Sequence, residues 1–179
     1  MKHAHTLAVL VEDQPGVLNR VVSLMRRRSF NIDSITVGHS EQPGMSRMTL
    51  VVRGEDVEVE QVTKQLYKLL EVQKVTDLSE FDSVTREMVM VKVAAKGQSR
   101  TEILQLVQVY NARVLDAMPS TLMIEATGDE QQIDSFLAMM RVFGIREMVR
   151  SGKIAMSRTS GATRAKGEVT ANGVSTAAD

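Results

Sequence analysis

Residues 6–37 read TLAVLVEDQPGVLNRVVSLMRRRSFNIDSITV, and this stretch decides the fold. Residues 7–11 are all apolar, with Leu7, Val9 and Val11 on one face and Ala8 and Leu10 on the other, which predicts a central strand covered on both sides. After the turn EDQPG apolar residues recur at helical spacing from Val17 to Met25, and a second strand carries Ile32 and Val37. The pattern predicts a strand, a tight turn, a helix and a second strand.

The turn between the first strand and the helix is the candidate ligand site. Pro15 presets φ for a first helical turn, and Asp13 or Gln14 is predicted to cap its free N–H groups. Gly16 has no Cβ, so these N–H groups stay open to a carboxylate or phosphate, which the helix dipole also attracts. A strand-to-helix connection needs a capped, glycine-containing turn without any ligand as well, so the turn alone leaves both interpretations open.

Asn31 favours the ligand-binding interpretation of the turn. Its side chain has two N–H donors and a carbonyl acceptor. It opens the second strand, which we expect to lie near the sheet edge where such units pair into dimers. The sequence therefore predicts that Asn31 contributes to the same site.

The same order of elements occurs twice along the chain. Strand, helix, strand, strand, helix and strand are predicted from Thr6 to Ser79, and again from Met88 to Arg150. Right-handed crossovers fold such a unit into an open antiparallel sheet with two helices on one face. The predicted fold class is α+β, with two tandem ferredoxin-like βαββαβ units.

The predicted domains are residues 1–82 and 83–157, and the short polar segment Glu80–Arg86 is predicted to link the two units. Residues 158–179 are mostly small and polar. They contain too little apolar surface to offset an ordering entropy of about 1–2 kcal/mol per residue. We therefore expect a disordered tail there.

Composition argues against several classes of protein. Lysine plus arginine equals aspartate plus glutamate at 22 each, so no global field attracts nucleic acid or an anionic membrane. Cysteine is absent, which excludes disulfides, thiol catalysis and cysteine-ligated metals. Arg26–Arg28 is interpreted as complementing the helix dipole and not as a nucleic-acid patch. Without a signal peptide or a membrane-length apolar run, we expect a cytoplasmic protein.

Residues suited to catalysis or metal binding are scarce. The chain has three histidines, and His3 and His5 lie in its N-terminal fringe, where an exposed end is favoured over a metal site. His39 lies in the loop of a predicted hairpin without a serine or cysteine nucleophile in a known pattern. Phosphate-binding GxxxxGK[ST], GxGxxG, HExxH and CxxC are all absent. We predict no catalytic residue and no metal ligand.

The chain resembles the acetohydroxyacid synthase (acetolactate synthase) small-subunit family, whose first domain is an ACT domain. The likeness rests on LVEDQPGVLNRVVSLMRRRSFNIDSITVG followed by SRMTLVV. In the second half it rests on REMVMVKV, PSTLMIEATGDEQQIDSFLAMM and REMVRSGKIAMSR. It covers about residues 5–157, and identifies residues 1–82 as an ACT regulatory domain and 83–157 as the C-terminal small-subunit domain.

The resemblance implies a regulatory subunit without a catalytic centre of its own. Such a subunit binds the catalytic subunit, raises its activity and makes it sensitive to feedback by valine or another branched-chain amino acid. The catalytic partner (EC 2.2.1.6) condenses two pyruvates, or pyruvate and 2-ketobutyrate, with loss of CO₂ in the biosynthesis of valine, leucine and isoleucine. Thiamine diphosphate, Mg²⁺ and FAD are expected in that partner, and no cofactor is expected in this chain.

The resemblance also implies that the effector binds at the interface of an ACT-domain homodimer. The turn and helix start of one chain then face the second strand of its neighbour. In this arrangement the helix start binds the effector carboxylate, Asp13 and Asn31 from opposite chains hold its polar groups, and Val17 and Ile32 lie near its apolar end. The predicted effector-binding residues are Asp13, Gln14, Pro15, Gly16, Val17, Leu18, Asn31 and Ile32.

Two other interpretations compete with the regulatory subunit. A free-standing amino-acid-sensing ACT protein that controls transcription is disfavoured, because the chain lacks a helix-turn-helix and a basic face. An enzyme in its own right is disfavoured because candidate catalytic residues are missing.

Overall fold

The computed structural model describes residues 3–158 and the backbone of residues 169–170, and the chain divides into two compact units. The first unit contains the chain up to Val84 together with the chain from Ala155 onward, and the second contains Thr85–Ile154. No helix of the described residues is long and apolar enough to span a membrane.

The first unit has the order βαββαβ. Its elements are β1 (His3–Glu12), α1 (Val17–Arg27), β2 (Asn31–His39), β3 (Met45–Gly54), α2 (Asp56–Leu66) and β4 (Val72–Asp77). The strands form an antiparallel sheet in the order β4-β1-β3-β2, so β2 is an edge strand. This places the second predicted strand at the sheet edge, as expected.

The core of the first unit lies between the sheet and its two helices. Leu7, Val9 and Val11 of β1 point into it and are fully buried. α1 contributes Val17 and Val21 from one face, at the spacing that the sequence pattern predicts. Because β1 pairs with β3 on one side and β4 on the other, it is the central strand of this unit.

The second unit repeats the same topology. Its elements are β5 (Ser83–Ala94), α3 (Gln98–Val109), β6 (Arg113–Met118), β7 (Thr121–Gly128), α4 (Glu130–Phe143) and β8 (Ile145–Arg150). The sheet order β6-β7-β5-β8 is that of the first unit, and its core contains residues from the sheet, α3 and α4. Asp129 caps α4 by accepting a hydrogen bond from the Gln132 N–H at 2.8 Å. Two tandem ferredoxin-like units are therefore confirmed.

The prediction that Glu80–Arg86 is a linker is wrong for the second half of that segment. A 3₁₀ helix occupies Leu78–Glu80, and Ser83–Arg86 already belong to β5. β9 (Ile154–Ser157), which the sequence analysis did not identify, pairs with β5. The composition of Ser83–Arg86 is polar and does not predict a strand. A strand that is stabilised by pairing with a segment about seventy residues later cannot be recognised from its own sequence pattern.

The end of the chain differs in part from the predicted tail. Arg158 is described, and its side chain contacts the Asp82 carboxylate at 3.1 Å. The backbone of β10 (Val169–Thr170) pairs with β4. The rest of the predicted disordered segment lies outside the described residues, so disorder there stays a prediction.

Candidate functional site

The turn that leads into α1 presents an open helix start. Gly16 precedes the first helical residue in the left-handed region, with φ 89° and ψ −9°. A Cβ on Gly16 would meet no atom within 4 Å among the described residues. No described side chain caps this helix, so its first-turn N–H groups lack side-chain acceptors. The arrangement can bind a carboxylate or another small anion.

The predicted caps by Asp13 and Gln14 are wrong. The Gln14 side chain donates to Glu12 Oε2 at 2.9 Å, and the Asp13 carboxylate contacts His39. The Val17 N–H instead donates to the main-chain oxygen of Gln14 at 3.3 Å. The turn at the left-handed Gly16 thus gives the Val17 N–H a backbone acceptor and leaves the next N–H groups of the first turn without a side-chain acceptor.

Main-chain hydrogen bonds hold the turn against neighbouring strands. The Asp13 N–H donates to Gly44 O at 2.8 Å, and the Glu12 N–H donates to Glu71 O at 2.9 Å. The Arg20 guanidinium of α1 also pairs with the buried Glu71 carboxylate. The helix start is thus fixed relative to the hairpin loop after β2 and to the start of β4, which preorganises it for a ligand.

His39 contacts the candidate site, which sequence reasoning did not predict. Its Nδ1 lies 3.2 Å from Asp13 Oδ2. The register of the sheet brings them together, because His39 lies opposite Ser46 and Glu12 lies opposite Met45. No spacing rule in the sequence reveals this contact, since it depends on the register of two strand pairs.

Asn31 and Ile32 lie away from the turn within one chain. Asn31 opens β2 and His39 ends it, and a strand rises about 3.3 Å per residue, so they are separated by about 26 Å. The Asn31 side chain donates to Asp33 Oδ1 at 2.8 Å, and Asp33 pairs with Arg53. One chain brings together the predicted residues from Asp13 to Leu18, but not Asn31 or Ile32.

The apolar residues near the helix start divide between the core and the surface. Val17 is buried in the core, so its side chain does not face a ligand at the turn. The neighbouring Leu18 is 44% exposed, and Val22, one helical turn later, is also exposed. Val37 on the edge strand β2 is exposed as well. Exposed apolar side chains therefore occur on the first two turns of α1 and on the edge strand β2.

The equivalent turn in the second unit differs in sequence and in backbone conformation. Gly97 precedes α3 with φ 55° and ψ −130°, but neither an acidic residue nor a proline accompanies it. Ser99 Oγ donates to Lys96 O at 2.7 Å and accepts from the Lys96 N–H at 3.2 Å. α3 likewise lacks a side-chain cap, and a Cβ on Gly97 would meet no atom within 4 Å among the described residues, so the two turns differ in sequence and backbone conformation and not in openness.

The fold and the open helix start define a tandem protein of the ACT type. Residues 7–74 match the family model of the AHAS small subunit-like ACT domain, and residues 86–159 match that of the small subunit of acetolactate synthase. The chain is 51% identical over 157 residues to the probable acetolactate synthase small subunit of Methanothermobacter thermautotrophicus, covering 87% of this chain and 94% of that protein.

Two further comparisons agree. The acetolactate synthase small subunit of Mycobacterium leprae is 47% identical over 154 residues, which cover 86% of this chain and 91% of that one. The crystal structure of the small subunit from Thermotoga maritima superposes with a TM-score of 0.82 at 40% identity, covering 87% of this chain and 98% of that one. The chain belongs to the acetolactate synthase small-subunit family. Its role is therefore that of a regulatory subunit with a catalytic subunit as its partner.

Proposed function

We propose that this chain activates the catalytic subunit of acetolactate synthase and makes it sensitive to feedback inhibition by a branched-chain amino acid, valine first among them. The observation that carries the proposal is the uncapped start of α1 behind Gly16, in the unit that matches the ACT family model. Thiamine diphosphate, Mg²⁺, FAD and the condensation of the 2-oxo acids are assigned to the partner.

The helix start supplies the carboxylate-binding half of the effector site. The backbone N–H groups around Gly16–Leu18 and the positive end of the helix dipole bind the carboxylate. Asp13 lies beside the turn with a half-exposed carboxylate, which suits the effector ammonium. The exposed Leu18 side chain, and not the buried Val17, is suited to contact the apolar end.

A second copy of the chain completes the site. If two β2 strands pair antiparallel about an axis at Ile35, Asn31 of one chain lies opposite the second chain's His39. In such a dimer both chains use the same surface, so the interface is isologous. The pairing also provides hydrogen-bond partners for the unpaired backbone N–H and C=O groups on the edge of β2. It also covers the exposed Val37 and brings Asn31 beside the other chain's turn. The large separation of Asn31 from the turn in one chain supports this homodimer.

Reconstitution tests the proposal. The purified chain is mixed with the catalytic subunit, acetolactate formation is measured, and valine, leucine and isoleucine are titrated in turn. We expect co-elution of the two subunits, increased activity, and inhibition by valine that the catalytic subunit alone does not show.

Absence of both co-elution and activation would overturn the regulatory assignment. Binding of valine without any association with the catalytic subunit would instead support a free-standing amino-acid sensor.

A further inference from the structure

A cluster of two histidines and two aspartates lies at the end of β1 opposite the effector turn. His3 and His5 are two residues apart, share one face of the strand, and have ring centroids 4.1 Å apart. Asp56, the first residue of α2, faces both rings. Asp77 ends β4, which pairs with β1.

The ligand atoms of three of these residues converge. Asp56 Oδ1 lies 3.2 Å from His3 Nε2 and 3.6 Å from His5 Nε2, and the three atoms are all within 4.8 Å of one another. Two ligands bound about 2.0–2.1 Å from a tetrahedral ion lie about 3.3–3.4 Å apart. The two observed nitrogen-to-oxygen distances bracket this value, so each imidazole is spaced from the carboxylate as two ligands of one ion would be.

The buried ring of His5 gives independent evidence for a ligand. Its side chain is 4% exposed, and Nε2 has no hydrogen-bond partner among the described residues. On the other side of the ring, Nδ1 lies 3.2 Å from Asp77 Oδ2. When Nδ1 donates to that carboxylate, the lone pair of Nε2 points towards Asp56 and His3. A carboxylate behind an imidazole is how proteins orient histidine ligands of metals.

A histidine–aspartate ion pair alone does not account for this arrangement. It explains the contact of His3 with Asp56, which are both exposed. The ion pair does not explain His5 Nε2, which is too far from Asp56 Oδ1 for a hydrogen bond. Buried polar atoms in folded proteins almost always have a partner. A bound cation satisfies both imidazoles and the carboxylate together.

We propose that His3, His5 and Asp56 bind one divalent transition-metal ion, best matched by Zn²⁺, and that Asp77 orients His5. Two imidazoles and one carboxylate are a donor set for Zn²⁺, Co²⁺ or Ni²⁺, whereas Ca²⁺ and Mg²⁺ require oxygen ligands. The cluster borders a cavity of about 480 Å³ that is also lined by Thr63 and Tyr67. Three protein ligands leave one position for water on the cavity side.

The ion would join the start of β1 to the first turn of α2. This site is independent of the effector site, because the two lie at opposite ends of β1, about 30 Å apart at 3.3 Å per residue. Loss of the metal site would therefore not alter the proposed effector site, and failure of either proposal leaves the other standing.

Metal titration of the untagged, chelator-treated full chain tests the proposal. Zn²⁺ binding is measured by competition with a chromophoric chelator, and Co²⁺ binding by its visible absorption. We expect one ion per chain. At Zn²⁺ concentrations a hundredfold above the dissociation constant, the melting temperature should rise by about 5–10 °C.

Variants assign the ligands. His3→Ala and Asp56→Asn change exposed residues and should each weaken binding at least tenfold, and Asp77→Asn should weaken it by about 10–100-fold. His5→Ala should abolish it. His39→Ala is the matched control, because it removes the remaining histidine and should leave metal affinity unchanged.

Two results would overturn the proposal. One is the absence of stoichiometric binding of Zn²⁺ and Co²⁺ to the folded wild-type chain. The other is unchanged affinity in the folded His3→Ala and Asp56→Asn proteins, whose metal-free melting temperatures establish that they are folded.

Discussion

Asp13 Oδ2 lies 3.2 Å from His39 Nδ1, which joins the turn before α1 to the outer end of the edge strand β2. The helix start and the sheet edge are therefore parts of one surface in the first unit. Asn31 lies at the other end of the same strand, so within one chain it does not reach this surface. The first two predictions below test this geometry.

Gly16→Asp should abolish most of the feedback inhibition. The new carboxylate occupies the space in which the effector carboxylate binds and repels it. Typical allosteric coupling is about 1–3 kcal/mol, so loss of one charged contact is sufficient. Because Gly16 has φ 89°, the substitution should also lower the free energy of unfolding by about 1–2 kcal/mol. Activity assays with and without valine measure the inhibition, and activation of the catalytic subunit should persist.

Two control variants separate charge from backbone strain. Gly16→Ala has the same strain without the carboxylate, and the space around it is open, so it should keep most of the inhibition. Gly97→Asp places the same residue at the equivalent, left-handed position of the second unit and should also keep it. Normal inhibition in a dimeric Gly16→Asp protein would show that the effector binds elsewhere.

Mixed dimers test whether Asn31 acts across the interface. Asn31→Ala should weaken inhibition mildly, and Asn31→Lys should weaken it strongly by placing a cation against the effector ammonium. When Gly16→Asp and Asn31→Lys chains are refolded together, each heterodimer has both changes in one site and none in the other. About a quarter of all sites are then intact for a two-fold symmetric dimer, so partial inhibition should return.

The same mixture distinguishes a site across the dimer interface from a site within one chain. If Gly16 and Asn31 of the same chain formed one site, every chain in the mixture would have one defective residue in its site, and no inhibition would return. Unmixed preparations of each variant, treated in the same way, are the reference.

Arg150→Ala should destabilise the second unit by about 2–4 kcal/mol, because it leaves the Glu87 carboxylate buried without its partner. Glu87 is 6% exposed and accepts from Arg150 Nε at 2.8 Å and from Nη2 at 2.6 Å. The hydrogen bonds to Glu87, with a smaller contribution from Asp134, raise the pKa of Arg150 above its ordinary value. Urea unfolding measures the free-energy difference.

Lys92→Ala is the matched control in the same sheet. It removes a contact of 2.7 Å with Glu147, whose carboxyl pKa the Lys92 ammonium holds below its usual value. Glu147 is solvent-exposed, so the unfolding midpoint should stay at that of the wild type. Equal destabilisation by both substitutions would contradict the special role of the buried pair.

A chain that ends at Arg158 should fold, dimerise and activate the catalytic subunit. Among the described residues, the buried core ends at Ala155, and the contact of Arg158 with Asp82 is retained. Only the two-residue pairing of β10 with β4 is lost from the described structure, so the melting temperature should change by less than about 2 °C. A clear fall in melting temperature or in activation would show that residues 159–179 have a structural role.

The element order and the fold class were determined by the sequence, because local periodicity reports which face of each element is buried. The continuous apolar run of β1 and the helical spacing from Val17 to Met25 predicted the first half of a unit, and the second half of the chain repeated the order. The cap of α4 by Asp129 is also a local feature, because it joins residues only three apart.

The sites, in contrast, were decided by the tertiary structure. The contact of Asp13 with His39, the separation of Asn31 from the turn, and the cluster of His3, His5 and Asp56 depend on strand register and on where a helix begins against the sheet. The residues in each set are separated by up to about fifty positions, and a shift of one residue in register turns each side chain to the other face. A local sequence pattern does not show which residues of two paired strands lie opposite one another, since the packing of the whole core sets that register.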